Sequence, residues 1–352
     1  MFLLRDIAPT DLDGLQKAAV HLDSVNLPND RPALAQIIER SRASFAAELP
    51  MSDRCFVFVA AELGDGDGAE RGEVVGTSMI FAQHGSRRAP HVFFDVLEEE
   101  RYSDTLDRHF AHRVLRIGYN YKGLTEIGGL ALRPAFRRHP ERLGRSLACV
   151  RFLYLARHRQ QFRDEVLSEL MPPLEPDGTS LLWESLGRRF TGLTYQEADR
   201  LSQTNKEFIR ALFPQDPIYA TLLPPHVQAL IGEVGPETKG VEKLLREVGF
   251  SYAHRIDPFD GGPHFHAKTD DITLVKTTRL ARVADAAHAS IDAGGRRQTF
   301  LVARERALAP RFVAARVELP SLADDERLAL PDDVRRALEV TAGDEVAVVR
   351  IA

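Results

Sequence analysis

Along the first half of this chain, some segments show the residue pattern of β-strands and others show the spacing of amphipathic helices, and these patterns predict its secondary structure. FLLRD, RCFVFVAAEL and EVVGTSMIFA are rich in β-branched and aromatic residues and predict strands. The glycine- and acid-rich segment GDGDGAERG between the last two predicts a hairpin. Helical spacing in DLDGLQKAAVHL, with Asp11 as its N-cap, and in RPALAQIIERSRASFAAEL predicts two helices. HVFFDVL and HFAHRVLRIGYNY are weaker strand candidates.

The second half of the chain is predicted to hold short helices followed by strands. LMPPLEPDGTS is a proline-rich connection, and the next helix, SLLWESLGRRF, carries the single tryptophan, Trp183, which we place in the core. PETKGVEKLLREVGF predicts a helix with Pro236 at its start and Gly249 at its end. Strands return around the Asp-Gly-Gly turn at 260–262, and the composition becomes alanine-rich from residue 281, ahead of a small β-rich unit.

Composition and charge exclude several classes of protein. The 352 residues are 44% hydrophobic and 28% charged, with a net charge of −5, which exerts no overall attraction on nucleic acid or anionic lipid. Cys55 and Cys149 are too few for a disulfide framework or a zinc cluster. The first residues, MFLLRDIAP, lack the apolar core of a signal peptide, and no run approaches the ~18 apolar residues of a membrane span. We therefore expect a cytoplasmic protein.

One segment stands out chemically: residues 125–146, TEIGGLALRPAFRRHPERLGRS. A strand predicted over 125–132 runs into a turn with five arginines between 133 and 145, and a helix is predicted over 144–163. A cationic, glycine-containing turn at a helix N-terminus favours phosphate, because backbone N–H groups and the helix dipole attract an anion there. The turn is neither a Walker loop nor a dinucleotide fingerprint, and a solvated charged turn that caps a core helix explains the same residues.

The order of these elements resembles that of the GCN5-related N-acyltransferase fold. More narrowly, the chain resembles the arginine N-succinyltransferase family along most of its length. The similar stretches are, in order, LPNDRPALAQIIERSRASF, LALRPAFR…LGRSLACVRFLYLA, LLWESLGRRFTGLTYQEADRL, KEFIRALFPQDPIYATLL, IGEVGPETKGVEKLLREVGF, IDPFDGGP, FLVARERALAPRFVAARVEL and ALEVTAGDEVAVVRI. The resemblance implies an α+β fold over residues 1–280, with a mixed central sheet flanked by helices and elaborated in its second half, and a small β-rich unit over 281–352.

The resemblance also implies a pair of substrates and a donor site. Succinyl-CoA, or another acyl-CoA, is the implied co-substrate, with no metal, and arginine or a related basic amino acid is the acceptor in arginine catabolism. The implied coenzyme A contacts are Leu130, Leu132, Arg137, Arg142, Gly144 and Arg145. The turn departs from the family pattern, because Arg142 stands where the family has a glycine and the turn is longer.

A second departure concerns proton transfer. The family's proton-donating histidine lies between a valine and a proline, and here that position is Gly235. Losing a general acid–base group typically slows a reaction by ~10²–10⁴-fold, so the replacement weakens activity without abolishing it. Three histidines are candidate replacements: His226, His264 and His266. Each also suits an ordinary surface or turn histidine.

Two residues are candidates for binding the acceptor: Asn26 and Asp260. A carboxylate such as that of Asp260 suits the guanidinium of arginine. The Asp-Gly-Gly sequence is also typical of a hairpin turn, and a turn explains Asp260 better than substrate binding does.

Three classes of function are open at this point. The first is a coenzyme A-dependent N-acyltransferase, and the second is a degenerate homologue that binds acyl-CoA or serves as partner subunit of an active enzyme. DNA binding by the C-terminal segment is disfavoured, because nine acidic residues and four arginines from Glu318 onward give a net charge of −5. The expected partners are small molecules, with no nucleic acid and no membrane, and a homo- or hetero-oligomer is open.

Overall fold

A computed structural model describes residues 1–20, 27–64, 72–87, 89–202, 205–285, 297–319 and 327–351. Its contacts divide the chain into two compact units. The first unit comprises Met1–Ala82, Ile127–Asp164 and Thr269–Ala352, and the second comprises Gln83–Glu126 and Glu165–Lys268. The chain passes from the second unit to the first within strand β6, Thr125–Leu132.

The first unit is built on a mixed sheet that joins both ends of the chain. Its strands lie in the order β14 (Arg327–Leu328), β11 (Arg279–Val283), β15 (Glu345–Arg350), β12 (Gln298–Glu305), β13 (Phe312–Leu319), β1 (Phe2–Asp6), β2 (Cys55–Glu62), β3 (Glu73–Phe81) and the end of β6. β1 lies between β13 and β2, with Leu4 opposite both Ala314 and Ala60. The predicted hairpin of β2 and β3 is confirmed, and the boundary at residues 280/281 stays a prediction.

Helices cover the sheet of the first unit. They are α1 (Leu12–Ala19), α2 (Arg31–Phe45), α3 (Leu143–Arg157), α10 (Thr273–Thr277) and α11 (Asp332–Leu338). α2 begins as predicted at a proline-bearing first turn, and Asp30 caps it by accepting the Ala33 N–H at 2.8 Å. α3 ends at Arg157, earlier than the predicted residue 163. Aromatic rings join α2 and α3 to the sheet, since Tyr154 lies 5.2 Å from Phe45 and 5.4 Å from Phe58 between centroids.

The structure corrects the predicted role of Asp11. Asp11 precedes α1, but its side chain makes no N-cap hydrogen bond to that helix. Its carboxylate accepts hydrogen bonds from Arg5 at 2.6 and 2.8 Å and from the Ala8 N–H at 2.7 Å. Arg5 lies on β1 with no exposed surface, and a buried guanidinium requires a partner more than a helix terminus requires a cap.

The strands of the second unit lie in the order β6 (its first residues), β7 (Glu165–Glu169), β10 (Pro263–Lys268), β9 (Ser251–Ile256), β4 (His91–Ser103), β5 (Arg108–Asn120) and β8 (Ile218–Tyr219). β6 and β7 are parallel, and the other pairs are antiparallel. The two weaker strand candidates thus form one long hairpin, β4–β5. Its short helices are α4 (Leu181–Ser185), α5 (Gly187–Thr191), α6 (Tyr195–Ser202), α7 (Glu207–Leu212), α8 (Pro225–Gln228) and α9 (Lys239–Glu247).

Trp183 anchors the core of the second unit, as predicted. It is fully buried, its ring stacks on Phe259 at 5.0 Å between centroids, and its indole N–H donates to the Leu193 carbonyl at 3.0 Å. Among the described residues, no helix is long and apolar enough to span a bilayer.

Candidate functional site

In the first unit, strand β6 bends where the resemblance places the acyl donor. Gly129 has φ +55°, and a Cβ at this position would lie 2.7 Å from the Met79 side chain. A residue with a side chain is strained in this left-handed conformation, so glycine permits the bend. The bend interrupts the regular pleat immediately before Leu130, which is half-buried.

The arginine-rich turn follows β6 and leads into α3. Arg142 adopts a left-handed conformation (φ 49°, ψ 50°), and its carbonyl accepts the N–H groups of Arg145 and Ser146. Its side chain is exposed and does not fill the turn. Arg137 is exposed too, and its Nε donates to the Leu132 carbonyl at 3.3 Å. The turn therefore presents guanidinium groups beside a helix N-terminus, where the first N–H groups lack intrahelical acceptors.

The structure brings together the six residues predicted to contact coenzyme A. All of them lie on β6, the turn or the start of α3: Leu130, Leu132, Arg137, Arg142, Gly144 and Arg145. Gly144 packs closely against Leu132, since a Cβ there would lie 3.1 Å from its Cδ1. A hydrogen bond within the first unit fixes the side chain of Arg145, whose Nε donates to the Ile351 carbonyl at 2.7 Å. Their roles in binding stay predictions.

In the second unit, two imidazoles converge on one carboxylate. Glu169 ends β7 and lies opposite His264 of the neighbouring strand β10. Its Oε1 is 3.4 Å from His264 Nε2 and 3.1 Å from His91 Nε2. The rings of His91 and His264 stack with centroids 5.3 Å apart. We call His91, Glu169 and His264 the histidine–glutamate cluster.

The cluster contains unsatisfied buried nitrogens. His264 has no exposed surface, and neither of its ring nitrogens has a hydrogen bond with good geometry to a described residue. The same holds for His91 Nε2, although it lies close to Glu169. Buried polar atoms are normally paired, so these nitrogens are suited to a bound group. His84 extends the cluster, with its ring 4.6 Å from that of His91 and its Nδ1 2.5 Å from Glu126 Oε2.

Burial sets the protonation states of the cluster. It lowers the pKa of His264 to about 3 and that of His91 to about 4, so both imidazoles are neutral at neutral pH. Burial also raises the pKa of Asp257 to about 7 and that of Asp260 well above its usual range, and each effect is increased by a nearby carboxylate. Two ligand sets have the spacing to hold a metal ion: His84, His91 and Glu169, and Glu169, Asp257 and His264.

The other predicted site residues lie apart from these contacts or outside the described chain. His226 is exposed on α8. His266 is half-buried on β10, where it lies opposite Leu167. The Asp260 Oδ1 accepts the Gly262 N–H at 2.7 Å, which is the turn contact that the sequence suggested as an alternative. Asn26 lies outside the described residues.

Gly235, at the position where the resemblance places the family histidine, has no room for a side chain. Its N–H donates to the Met171 carbonyl at 2.8 Å. A Cβ built on Gly235 would lie 2.6 Å from the carbonyl oxygen of Pro172 and 2.9 Å from that of Met171. Both neighbours are backbone atoms, so a side chain at 235 requires the chain at 171–172 to move.

We predict that Gly235→Ala lowers the free energy of unfolding by about 1–3 kcal/mol, because overpacking forces the backbone to shift. Gly235→His should destabilise the protein further. Gly240→Ala is the matched control, because nothing lies within 4 Å of its added Cβ and alanine favours a helix. Urea unfolding of the three variants measures the difference. Equal stability of Gly235→Ala and the unsubstituted protein would contradict the prediction.

Sequence reasoning missed four members of this region: His84, His91, Glu126 and Glu169. His91 is the first residue of strand β4 and Glu169 is the last residue of the short strand β7, so neither belongs to a recognisable sequence motif. Only the strand order β7–β10–β9–β4 brings them close to His264. The sequence offers a weak indication that His264 is buried. It alternates with apolar residues on a predicted strand, and alternate residues of a strand face opposite sides of the sheet.

Comparison with known proteins identifies relatives of this chain over its whole length. The family described as "Arginine N-succinyltransferase beta subunit" matches residues 2–274. A protein of Escherichia coli (strain 55989 / EAEC) named arginine N-succinyltransferase is 32% identical over 354 aligned positions, which cover all of this chain and 98% of the relative. Its namesake in Salmonella arizonae is 31% identical with the same coverage. The solved arginine/ornithine succinyltransferase subunit AI of Pseudomonas aeruginosa is 27% identical, covers 100% of this chain and 99% of its own, and superposes with a TM-score of 0.81.

Proposed function

This chain belongs to the arginine N-succinyltransferase family, and we propose that it transfers a succinyl group from coenzyme A to the α-amino group of arginine or a related basic amino acid. The observation that carries the proposal is the succession of bent strand, cationic turn and helix N-terminus over 125–146 in a chain matched over its whole length. We further propose that the fold is of the GCN5-related type and that the enzyme serves arginine catabolism in the cytoplasm.

The reaction requires little bond chemistry from the protein. The neutral amine attacks the thioester carbonyl, a C–N bond forms and the C–S bond breaks. The sulfur leaves as coenzyme A thiolate, and the attacking nitrogen must lose a proton. An α-amino group has a pKa near ~8, so a useful fraction is neutral at cytoplasmic pH. The protein contributes orientation, a site for the developing oxyanion and a proton acceptor.

The first unit supplies the donor site in this proposal. Backbone groups around the Gly129 bend receive the thioester and its pantetheine arm. The N-terminus of α3 and the guanidinium groups of Arg137 and Arg142 receive the pyrophosphate. Arg145 has its Nε engaged by the Ile351 carbonyl, and it contributes charge to the same helix turn.

His264 is the proton acceptor in this proposal. Among the three candidate histidines, His264 combines complete burial, unsatisfied ring nitrogens and a neighbouring carboxylate. Glu169 stabilises the imidazolium that forms when His264 takes the proton, as a carboxylate does for a histidine base in other enzymes. Asp260 stays our candidate for the guanidinium of the acceptor.

The test is a direct assay of transfer. The purified protein is incubated with succinyl-CoA and each of arginine, ornithine and lysine, and free thiol release is followed together with the mass of the product. We expect stoichiometric thiol and N-succinyl amino acid. Thiol release at the same rate without an amine would indicate hydrolysis, and no release with any basic amino acid would refute the enzymatic function.

A second candidate function is supported by the packing of Gly235. Because residue 235 cannot hold a side chain without a backbone shift, no side chain at this position can take part in proton transfer. A non-catalytic homologue would bind succinyl-CoA, gain thermal stability from it and release no thiol, alone or as one subunit of an oligomer. The two measurements, binding and turnover, separate the candidates.

The proposed donor site can be tested by its effect on the KM for succinyl-CoA. Replacing Arg137 and Arg142 together by glutamine should raise the KM for succinyl-CoA roughly 10-fold, with kcat nearly unchanged, because exposed charge-assisted contacts are each modest. Raising the salt concentration should reduce the difference. Arg31→Gln, at an exposed ion pair with Asp13, is the control and should leave KM unaffected. An unchanged KM in the double variant would place the pyrophosphate elsewhere.

A further inference from the structure

The buried stretch of helix α3, from Ser146 to Leu155, contains a single charged residue. Every residue from Ser146 to Leu155 is buried, and Arg151 is the only charged residue among them, with 2% of its surface exposed. The helix is apolar on all sides, so a charge within it is costly unless a specific group compensates it. Structural cations of this kind are normally paired with a carboxylate.

Arg151 has no such partner among the described residues. Its Nε donates to the Ala148 carbonyl at 3.2 Å, and its Nη1 donates to the Gly128 carbonyl at 3.3 Å. Both are long, and both acceptors are neutral, so no described carboxylate balances the charge. Burial lowers the pKa of the guanidinium to about 10, which leaves it cationic at neutral pH.

One amino group of Arg151 remains available for a ligand. Nη2 makes no hydrogen bond with a described residue. The bond to Gly128 places the guanidinium beside β6, one residue before the Gly129 bend and two before Leu130.

We propose that Arg151 binds the terminal carboxylate of the acyl chain carried by coenzyme A, and that it selects dicarboxylic acyl groups over uncharged ones of equal length. The proposal rests on the proposed function, since it assigns the acyl end of the same donor. A carboxylate beside Nη2 supplies both the missing negative charge and a charge-assisted acceptor. Arg151 is thus a specificity-determining residue rather than a structural one.

The test compares two donors that differ in the carboxylate alone. Binding of succinyl-CoA and of butyryl-CoA is measured by calorimetry without an amino acid, so that no turnover is needed. The unsubstituted protein should bind succinyl-CoA more tightly. Arg151→Met should weaken succinyl-CoA about 10- to 100-fold, the usual range for losing one charged hydrogen bond, and leave butyryl-CoA within about 3-fold.

Two further variants control for folding and for charge. Arg151→Lys keeps the cation and should retain part of the preference even if Arg151→Met folds poorly. Arg157→Met removes an arginine of the same helix that pairs with Glu305, and it should change neither affinity.

Equal weakening of both donors in Arg151→Met, or no preference in the unsubstituted protein, would overturn the proposal. Those outcomes leave the proposed function intact, because coenzyme A still binds. No binding of either donor to the unsubstituted protein would instead refute the donor site itself, and this inference with it.

Discussion

Replacing His264 by asparagine is expected to lower kcat for succinyl transfer by about 10²–10⁴-fold, the usual contribution of a general base. Asparagine fills much of the same buried volume but cannot accept the proton of the attacking amine. The KM for succinyl-CoA should stay within a few-fold, because His264 is not among the residues proposed to contact the donor. Steady-state kinetics with varied succinyl-CoA and arginine separate the two effects.

The pH profile distinguishes this role from that of an ordinary histidine base. Burial lowers the pKa of His264 to about 3, so the imidazole is already unprotonated across the working range. The value of kcat/KM should therefore rise toward the pKa of the substrate amine, near ~8, without an inflection near ~6.5. An inflection near ~6.5 would show that a histidine with an ordinary pKa accepts the proton instead.

Three controls sharpen the His264 experiment. His109→Gln alters an exposed histidine of β5 and should leave kcat unchanged. His226→Ala should do the same, and a large loss there with none in His264→Asn would contradict our assignment. A chelator should not affect kcat, and loss of activity that added Zn²⁺ restores would mean that the donor atoms of the cluster hold a metal.

The second large effect is expected on stability. Asp11→Ala should lower the free energy of unfolding by about 3–5 kcal/mol, because it leaves the buried guanidinium of Arg5 without a counter-charge. Arg5 is fully buried and Asp11 nearly so, with N–O distances of 2.6 and 2.8 Å. The Ala8 N–H loses its acceptor as well. Chemical denaturation at neutral pH measures the loss.

The double variant Arg5→Met/Asp11→Leu identifies the cause. Removing both charges should recover most of the stability, because apolar residues often replace a buried ion pair without cost. Asp13→Ala breaks an exposed ion pair with Arg31 and should cost less than about 1 kcal/mol. A loss for Asp11→Ala no larger than that for Asp13→Ala would show that Asp11 serves only as a helix cap, as the sequence suggested.

The sequence alone determined the local elements and the family. The β2–β3 hairpin, helix α2 and the strand–turn–helix over 125–146 follow from residue periodicity, turn glycines and capping residues within a few positions of one another. The family followed from ordered stretches along the whole chain, and the family match over residues 2–274 confirms it.

The tertiary structure decided every contact between distant strands. His91, Glu169 and His264 meet because β4 and β7 flank the β9–β10 pair, and no local period carries that order. The local sequence predicts that Asp11 caps a helix, whereas in the folded chain its carboxylate pairs with the buried guanidinium of Arg5. Residue periodicity indicates which face of an element is apolar. Strand order and register determine which faces pack together, and they depend on the free energy of the whole packed sheet.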